Sequence, residues 1–178
     1  YTSKRVDAPG VLLTVLFRQY FAKMIREMRN TLYREVHCGP WRIGMCPLDM
    51  ITINNIYKIM RHNIVTSGMC FSLSTGHWGP KATRNNKEGV SQILNRMTYN
   101  ATISHMRRVS TPVEKSGKMI QPRKLHPTQW GVMCPSETPE GAPIGLVKNL
   151  ALTCSVTSEE SPRQVHSFLA GSRRFCPR

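Results

Sequence analysis

The chain has 178 residues, 40% of them hydrophobic, enough for one domain or one and a half with a real core. Twenty-five Lys and Arg stand against ten Asp and Glu, a net charge of +15 that is too large for an ordinary soluble enzyme of this size and points to a polyanionic partner. The longest apolar stretch, Val11 to Phe17, is interrupted by Thr14, which excludes a membrane-spanning helix.

The chain opens on Tyr1 with neither a methionine nor a secretory signal pattern, and stops in Phe175-Cys176-Pro177-Arg178. It is expected to be part of a longer polypeptide. Cys38, Cys46, Cys70, Cys134, Cys154 and Cys176 include no Cys-x-x-Cys pair and no His at zinc-finger distance, so they read as reduced thiols of a cytosolic or nuclear protein. His37, Cys38 and Cys46 make half a metal site at most. The ten acids are scattered, and only Glu137 and Glu140 share a patterned segment. A magnesium ion wants several carboxylate oxygens together, so any phosphate chemistry here needs its metal held elsewhere.

In chain order, residues 11–36 predict one long amphipathic helix, with Leu13, Phe17, Tyr20, Phe21, Met24, Met28, Leu32 and Val36 at three- and four-residue steps. Asp7 is placed to cap its start. Arg18, Arg26, Arg29 and Arg34 form the opposite face, read as solvated or, second, as touching phosphate. Gly39, Pro40, Gly44 and Pro47 mark a connection. Ile51 to Val65 then predicts a helix or helix pair, and Thr66-Ser67-Gly68 a new start leading into a short third turn over 69–73. Thr75-Gly76-His77-Trp78-Gly79-Pro80 reads as a loop with an aromatic anchor.

From Lys81 to Lys124 ten basic residues face only Glu88 and Glu114, more than half of the excess charge in a quarter of the chain. Val90, Ile93, Leu94, Met97, Ile103 and Met106 keep a helical period, so the segment reads as a basic helix followed by a loop, the nucleic-acid face. Residues 110–122 predict an exposed basic loop with positive φ allowed at Gly117. Residues 125–156 are nearly uncharged and rich in glycine and proline, a compact coil, with a buried strand expected within 145–156. The last twenty or so residues read as solvated and irregular. The fold class is α+β, mostly helical, with long ordered loops and a few short strands, and not autonomous.

Five motifs in this order carry a family resemblance: Gly89-Val-Ser-Gln-Ile-Leu-Asn-Arg96, Ser104-His-Met-Arg-Arg108, Pro122-Arg-Lys-Leu-His-Pro-Thr-Gln-Trp-Gly131, Cys134-Pro-Ser-Glu-Thr-Pro-Glu-Gly141 and Gly145-Leu-Val-Lys-Asn-Leu150. Upstream, Lys4-Arg-Val-Asp7, Thr66-Ser-Gly68 and Thr75-Gly-His-Trp-Gly79 extend it. Residues 3–156 resemble the second-largest subunit of multisubunit DNA-dependent RNA polymerases. Ser136 and the Lys-rich loop are similar to its eukaryotic, archaeal and large-DNA-virus branch, and Ala142-Pro143-Ile144 looks more like the viral form. The resemblance implies a nuclear protein, or one of host cytoplasm or virion for a viral source.

What the resemblance implies is specific. Residues 1–75 would be the end of the protrusion domain, 76–157 the fork domain, and 158–178 an unassigned tail. Lys115 and Lys118 would lie on the fork loop at the downstream edge of the transcription bubble and hold phosphates. Arg123 would stand near incoming nucleotide and template, where a guanidinium can clamp phosphate, with Glu137 and Glu140 close by. Gln92, His105, Arg107 and Arg108 would face the new RNA. Mg2+ would be held by the largest subunit, and the partners would be that subunit, other polymerase subunits, template DNA, nascent RNA and NTPs.

Plainer readings stand beside these. Glu137 and Glu140 could cap turns or pair with arginines, and His105 and His126 could be structural imidazoles. A free-standing, sequence-nonspecific nucleic-acid-binding module is the alternative function, and a ribosomal or scaffolding protein would also be basic.

Overall fold

A computed structural model describes residues 1–39, 51–80, 87–114, 117, 119–157 and 161–171. Among them helices dominate and a single two-stranded antiparallel sheet is present, an α+β architecture. No described helix is long and apolar enough to cross a membrane. Contacts gather the chain into two compact units, residues 2–106 and residues 107–178 together with Tyr1.

The first unit is built on α1 (Pro9–Cys38), whose first turn holds Pro9 with its φ already helical. Asp7 does not cap it. The N-cap is Ala8, without a side-chain bond, while the Asp7 carboxylate is paired with the Lys87 ammonium. After α2 (Ile56–Ile59), α3 (Asn63–Thr75) runs straight through the expected start at residues 66–68. Gly68 is there for packing: a Cβ at this position would collide with Cε1 and Cδ1 of Tyr20. Without a side chain at residue 68, the tyrosine ring of α1 lies directly on the α3 backbone.

That contact fixes which face of α1 is inside. Leu16 and Tyr20 are buried with Trp78, and Leu12, Val65, Met69 and Val90 pack around them. The expected stripe holds at Tyr20 and, half-buried, at Met24, Met28, Leu32 and Val36, but Leu13, Phe17 and Phe21 are 39%, 47% and 44% exposed and Leu16, outside the expected set, is buried instead. The Tyr20 hydroxyl lies 3.1 Å from Ser72 Oγ and donates to the Gly79 carbonyl at 3.3 Å, so its polar tip is satisfied inside the core.

The aromatic anchor at Trp78 is present. Its indole N–H donates to the Leu12 carbonyl at 2.9 Å, and its backbone N–H to Lys87 O at 2.8 Å. Gly76 ends α3 in the left-handed conformation, φ +77°.

The helix expected from Val90 onward shrinks to α4 (Tyr99–Met106). Ile93 is 97% and Met97 87% exposed, so their helical spacing buries nothing among the described residues. The start is set by chemistry instead: Thr98 Oγ1 accepts the Ala101 N–H at 3.1 Å.

In the second unit β1 (Arg108–Ser110) pairs antiparallel with β2 (Val147–Asn149), in the register Arg108 to Asn149, Val109 to Lys148 and Ser110 to Val147. The expected strand is thus real but only three residues long, with Val147 and Asn149 buried. Leu146 and Met133 join Val147 in the core. The compact coil is also as expected, with one 3-10 turn inside it at Pro127–Gln129 and another just before it at Gln121–Arg123. Gly117 does not use positive φ, and its N–H donates to the Glu114 carbonyl at 3.3 Å. The tail is not wholly irregular: α5 (Arg163–Gly171) forms there, started by Pro162, whose carbonyl accepts the His166 N–H at 2.9 Å.

Candidate nucleic-acid interface

The basic segment contributes side chains to both units, and each set has its own geometry. In the first unit Gln92 and His105 meet. His105 Nδ1 accepts the Asn95 backbone N–H at 3.0 Å, and Nε2 lies 3.0 Å from Gln92 Oε1. A ring whose Nδ1 is an acceptor carries its neutral-form proton on Nε2, so the second contact is a donation from histidine to glutamine. Gln92 Nε2 in turn donates to the Gly89 carbonyl at 2.9 Å. This chain of bonds ties the irregular stretch 89–95 to α4. Asn95, which has no role assigned within its motif, also accepts from Thr102 Oγ1 through its carbonyl at 2.8 Å.

In the second unit Arg107 and Arg123 behave alike and unlike Arg108. Arg107 is half-buried, and its Nη2 donates to the carbonyls of Ala151 at 2.5 Å and Cys154 at 2.8 Å. Arg108, on the exposed edge of β1, has its side chain toward solvent. Arg123 Nε donates to Met119 O at 3.1 Å, Nη1 to Ala142 O at 2.5 Å and Ile144 O at 3.0 Å, and Nη2 to Gly117 O at 3.1 Å. Lys115 and Lys118 lie outside the described residues.

Two residues that lie in the quoted motifs but carry no role there hold this arrangement together. At Gly145, φ +69°, a Cβ would stand 2.5 Å from the Arg123 carbonyl oxygen and 2.6 Å from its Cα. The two backbones touch, and only glycine permits it. Thr138 Oγ1 accepts the Gly145 N–H at 2.9 Å and donates to Val147 O at 3.0 Å. A lone Gly after Ala-Pro-Ile and a Thr before Pro were the available signals, and both are generic turn chemistry.

Glu137 and Glu140 are exposed on the same coil. The Glu137 carbonyl accepts from Asn149 Nδ2 at 3.3 Å, which docks the motif on β2. Gly141, φ +82°, turns the chain immediately after Glu140. His126 is structural: its Nδ1 accepts the Thr128 N–H at 3.3 Å and caps the second 3-10 turn. Trp130 beside it is 93% exposed. Among the described residues no three His, Cys, Asp or Glu side chains converge on one point, so they do not fit a magnesium ion. Cys38, Cys70, Cys134 and Cys154 are free thiols.

Comparison with known proteins places these motifs. The family model "RNA polymerase Rpb2, domain 3" matches residues 92–156. The DNA-directed RNA polymerase II subunit 2 of Arabidopsis thaliana is 41% identical over 169 residues, 95% of this chain and 13% of that protein. The RPB2 subunit of RNA polymerase II of Schizosaccharomyces pombe is 40% identical over 170 residues, again 95% of this chain and 13% of the relative. An archaeal relative, the DNA-directed RNA polymerase subunit Rpo2N of Methanococcus vannielii, is 38% identical over 164 residues, 90% of this chain and 29% of its own length. The chain thus belongs to the family of second-largest subunits of DNA-directed RNA polymerases, corresponding to a segment 13% as long as its eukaryotic members.

Proposed function

We propose that the subunit containing this chain works in the catalytic core of a DNA-directed RNA polymerase, a nucleotidyltransferase that copies a DNA template into RNA from NTPs. The observation that carries this reading is identity of 41% and 38% along 95% and 90% of the chain to plant and archaeal polymerase subunits. The free-standing module has no support from these relatives, each of which is named as a polymerase subunit.

Within that enzyme this segment orients nucleic acid and compensates its charge, while Mg2+ is held by carboxylates of the largest subunit. Residues 1–75 serve as the end of the protrusion, 76–157 as the fork, and 158–178 remain outside both. Gln92, His105, Arg107 and Arg108 face the RNA. Lys115 and Lys118 hold downstream DNA through phosphates, and Arg123, Glu137 and Glu140 stand near template and incoming nucleotide. The largest subunit and other polymerase subunits are its protein partners. The nucleus is its site of action, as the resemblance to polymerase II subunits supports, and a viral source would move it to host cytoplasm or virion.

The test is reconstitution. Full-length subunit carrying this segment, assembled with its partner subunits, is expected to extend a primer RNA on a DNA template in the presence of Mg2+. The 178-residue chain alone is expected to join no nucleotides. RNA synthesis by the isolated chain, or full elongation by an enzyme assembled without this subunit, overturns the reading.

A further inference from the structure

Arg123 offers five N–H donors in a rigid fork. Four of its hydrogen bonds go to main-chain carbonyls, Gly117 and Met119 on one side and Ala142 and Ile144 on the other. A planar guanidinium reaches four acceptors spread in this way, whereas a lysine ammonium concentrates its donors at one point. Across the same junction Gly145 presses its backbone on that of Arg123, where a Cβ would come within 2.5 Å. Thr138 closes the third side, taking the Gly145 N–H at 2.9 Å and giving its own proton to Val147 O at 3.0 Å.

We infer that Arg123 is a positioning residue: with Gly145 and Thr138 it locks Gly117 and residues 119–123 to the 142–147 turn and so sets the stance of the Cys134–Gly141 coil that carries Glu140. Four of its five donors serve carbonyls, so its part in nucleotide addition runs through the placement of this coil and not through a phosphate contact of its own. The inference rests on the polymerase reading above and gives Arg123 a different role from the phosphate clamp that the motif resemblance implies.

The experiment uses the full-length subunit assembled into the polymerase, with rates expressed per titrated active site. Arg123→Lys is expected to lose as much kcat as Arg123→Ala, about ten- to a hundredfold, as misplacement of a catalytic surface by about 1 Å would cause. The KM for NTP is expected to stay within about twofold of wild type. Gly145→Ala, which keeps the arginine but pushes its backbone away, is expected to reproduce the kcat loss. Recovery of most activity by Arg123→Lys, a rise in KM at constant kcat, or normal turnover in Gly145→Ala overturns the inference. So does a lower yield of assembled enzyme with an unchanged rate per site, which is the mark of a purely structural role.

Hydrogen exchange in the unassembled full-length subunit separates this inference from the reading it rests on. Faster exchange at the Gly145 amide in Arg123→Lys supports the lock even where wild-type enzyme makes no RNA, an outcome that would overturn the polymerase reading alone. Unchanged exchange overturns the lock.

Discussion

Arg107 shows how a cation counted toward the polyanion partner is used inside the fold. Its Nη2 bridges the carbonyls of Ala151 at 2.5 Å and Cys154 at 2.8 Å, closing the turn that follows β2. Charge-assisted bonds of this kind are worth more than neutral ones. Arg107→Ala is expected to destabilise this turn by about 1–2 kcal/mol, read as faster hydrogen exchange at the Cys154 amide in the full-length subunit. An unchanged rate would mean that the side chain serves RNA and not the turn. Composition points to a polyanionic partner from +15, but it could not say which guanidinium groups are spent on carbonyls. That depends on residues 44 and 47 positions away, whose approach to Arg107 is set by tertiary structure. Glu137 and Glu140 were legible as a pair, whereas Thr138 between them, the residue whose hydroxyl ties the coil to Gly145, carries no distinguishing mark in sequence.

Among the elements, α1 and the break after α3 were readable because their signals are local. A long apolar period, a proline at the start and Gly-His-Trp-Gly at the end of α3 each act over a few residues. Gly68 was misread as a helix start for the opposite reason: its role is to admit the Tyr20 ring from 48 residues away in sequence. Gly68→Ala should therefore be destabilising despite alanine's higher helix propensity, by about 1–3 kcal/mol from overpacking. The measurement is the thermal unfolding of the full-length subunit, and a gain in stability would mean that the ring has room to move.

The helix expected across 90–106 failed on the same physics. Apolar spacing of 3.6 residues counts only where a surface exists to bury it, and Ile93 and Met97 meet none among the described residues. Polar chemistry at Thr98, Asn95 and His105 fixes that stretch instead. In α5, Pro162 was a start signal overlooked among flanking charges.

For the molecule as a whole, the charge distribution sets the expectation for binding. Lys81 to Lys124 hold ten of the 25 basic residues and two of the ten acids, a density that attracts phosphates whatever their sequence. Replacing Lys115 and Lys118 together by alanine in the assembled enzyme should lower the slope of log K against log salt for downstream duplex DNA by up to about two, roughly one for each phosphate that is no longer neutralised. Titration of DNA retention between low and physiological salt measures this, and an unaltered slope would put both lysines away from DNA. Replacing Arg107 should leave that slope as it is, because its Nη2 already serves two carbonyls.

The bond from the Trp78 indole to the Leu12 carbonyl joins positions 66 residues apart, and this has a consequence for biosynthesis. The inner stripe of α1 leaves the ribosome well before the residues that cover it. At about 5–20 residues per second the gap is roughly 3 to 13 s. During that interval Leu12, Leu16 and Tyr20 are open to chaperones and to aggregation. Nascent chains halted near residue 60 should be cut within α1 by a limiting dose of protease, and chains halted after Val90 has cleared the exit tunnel should resist it. Equal cleavage of both would mean that the helix finds shelter elsewhere in the growing subunit.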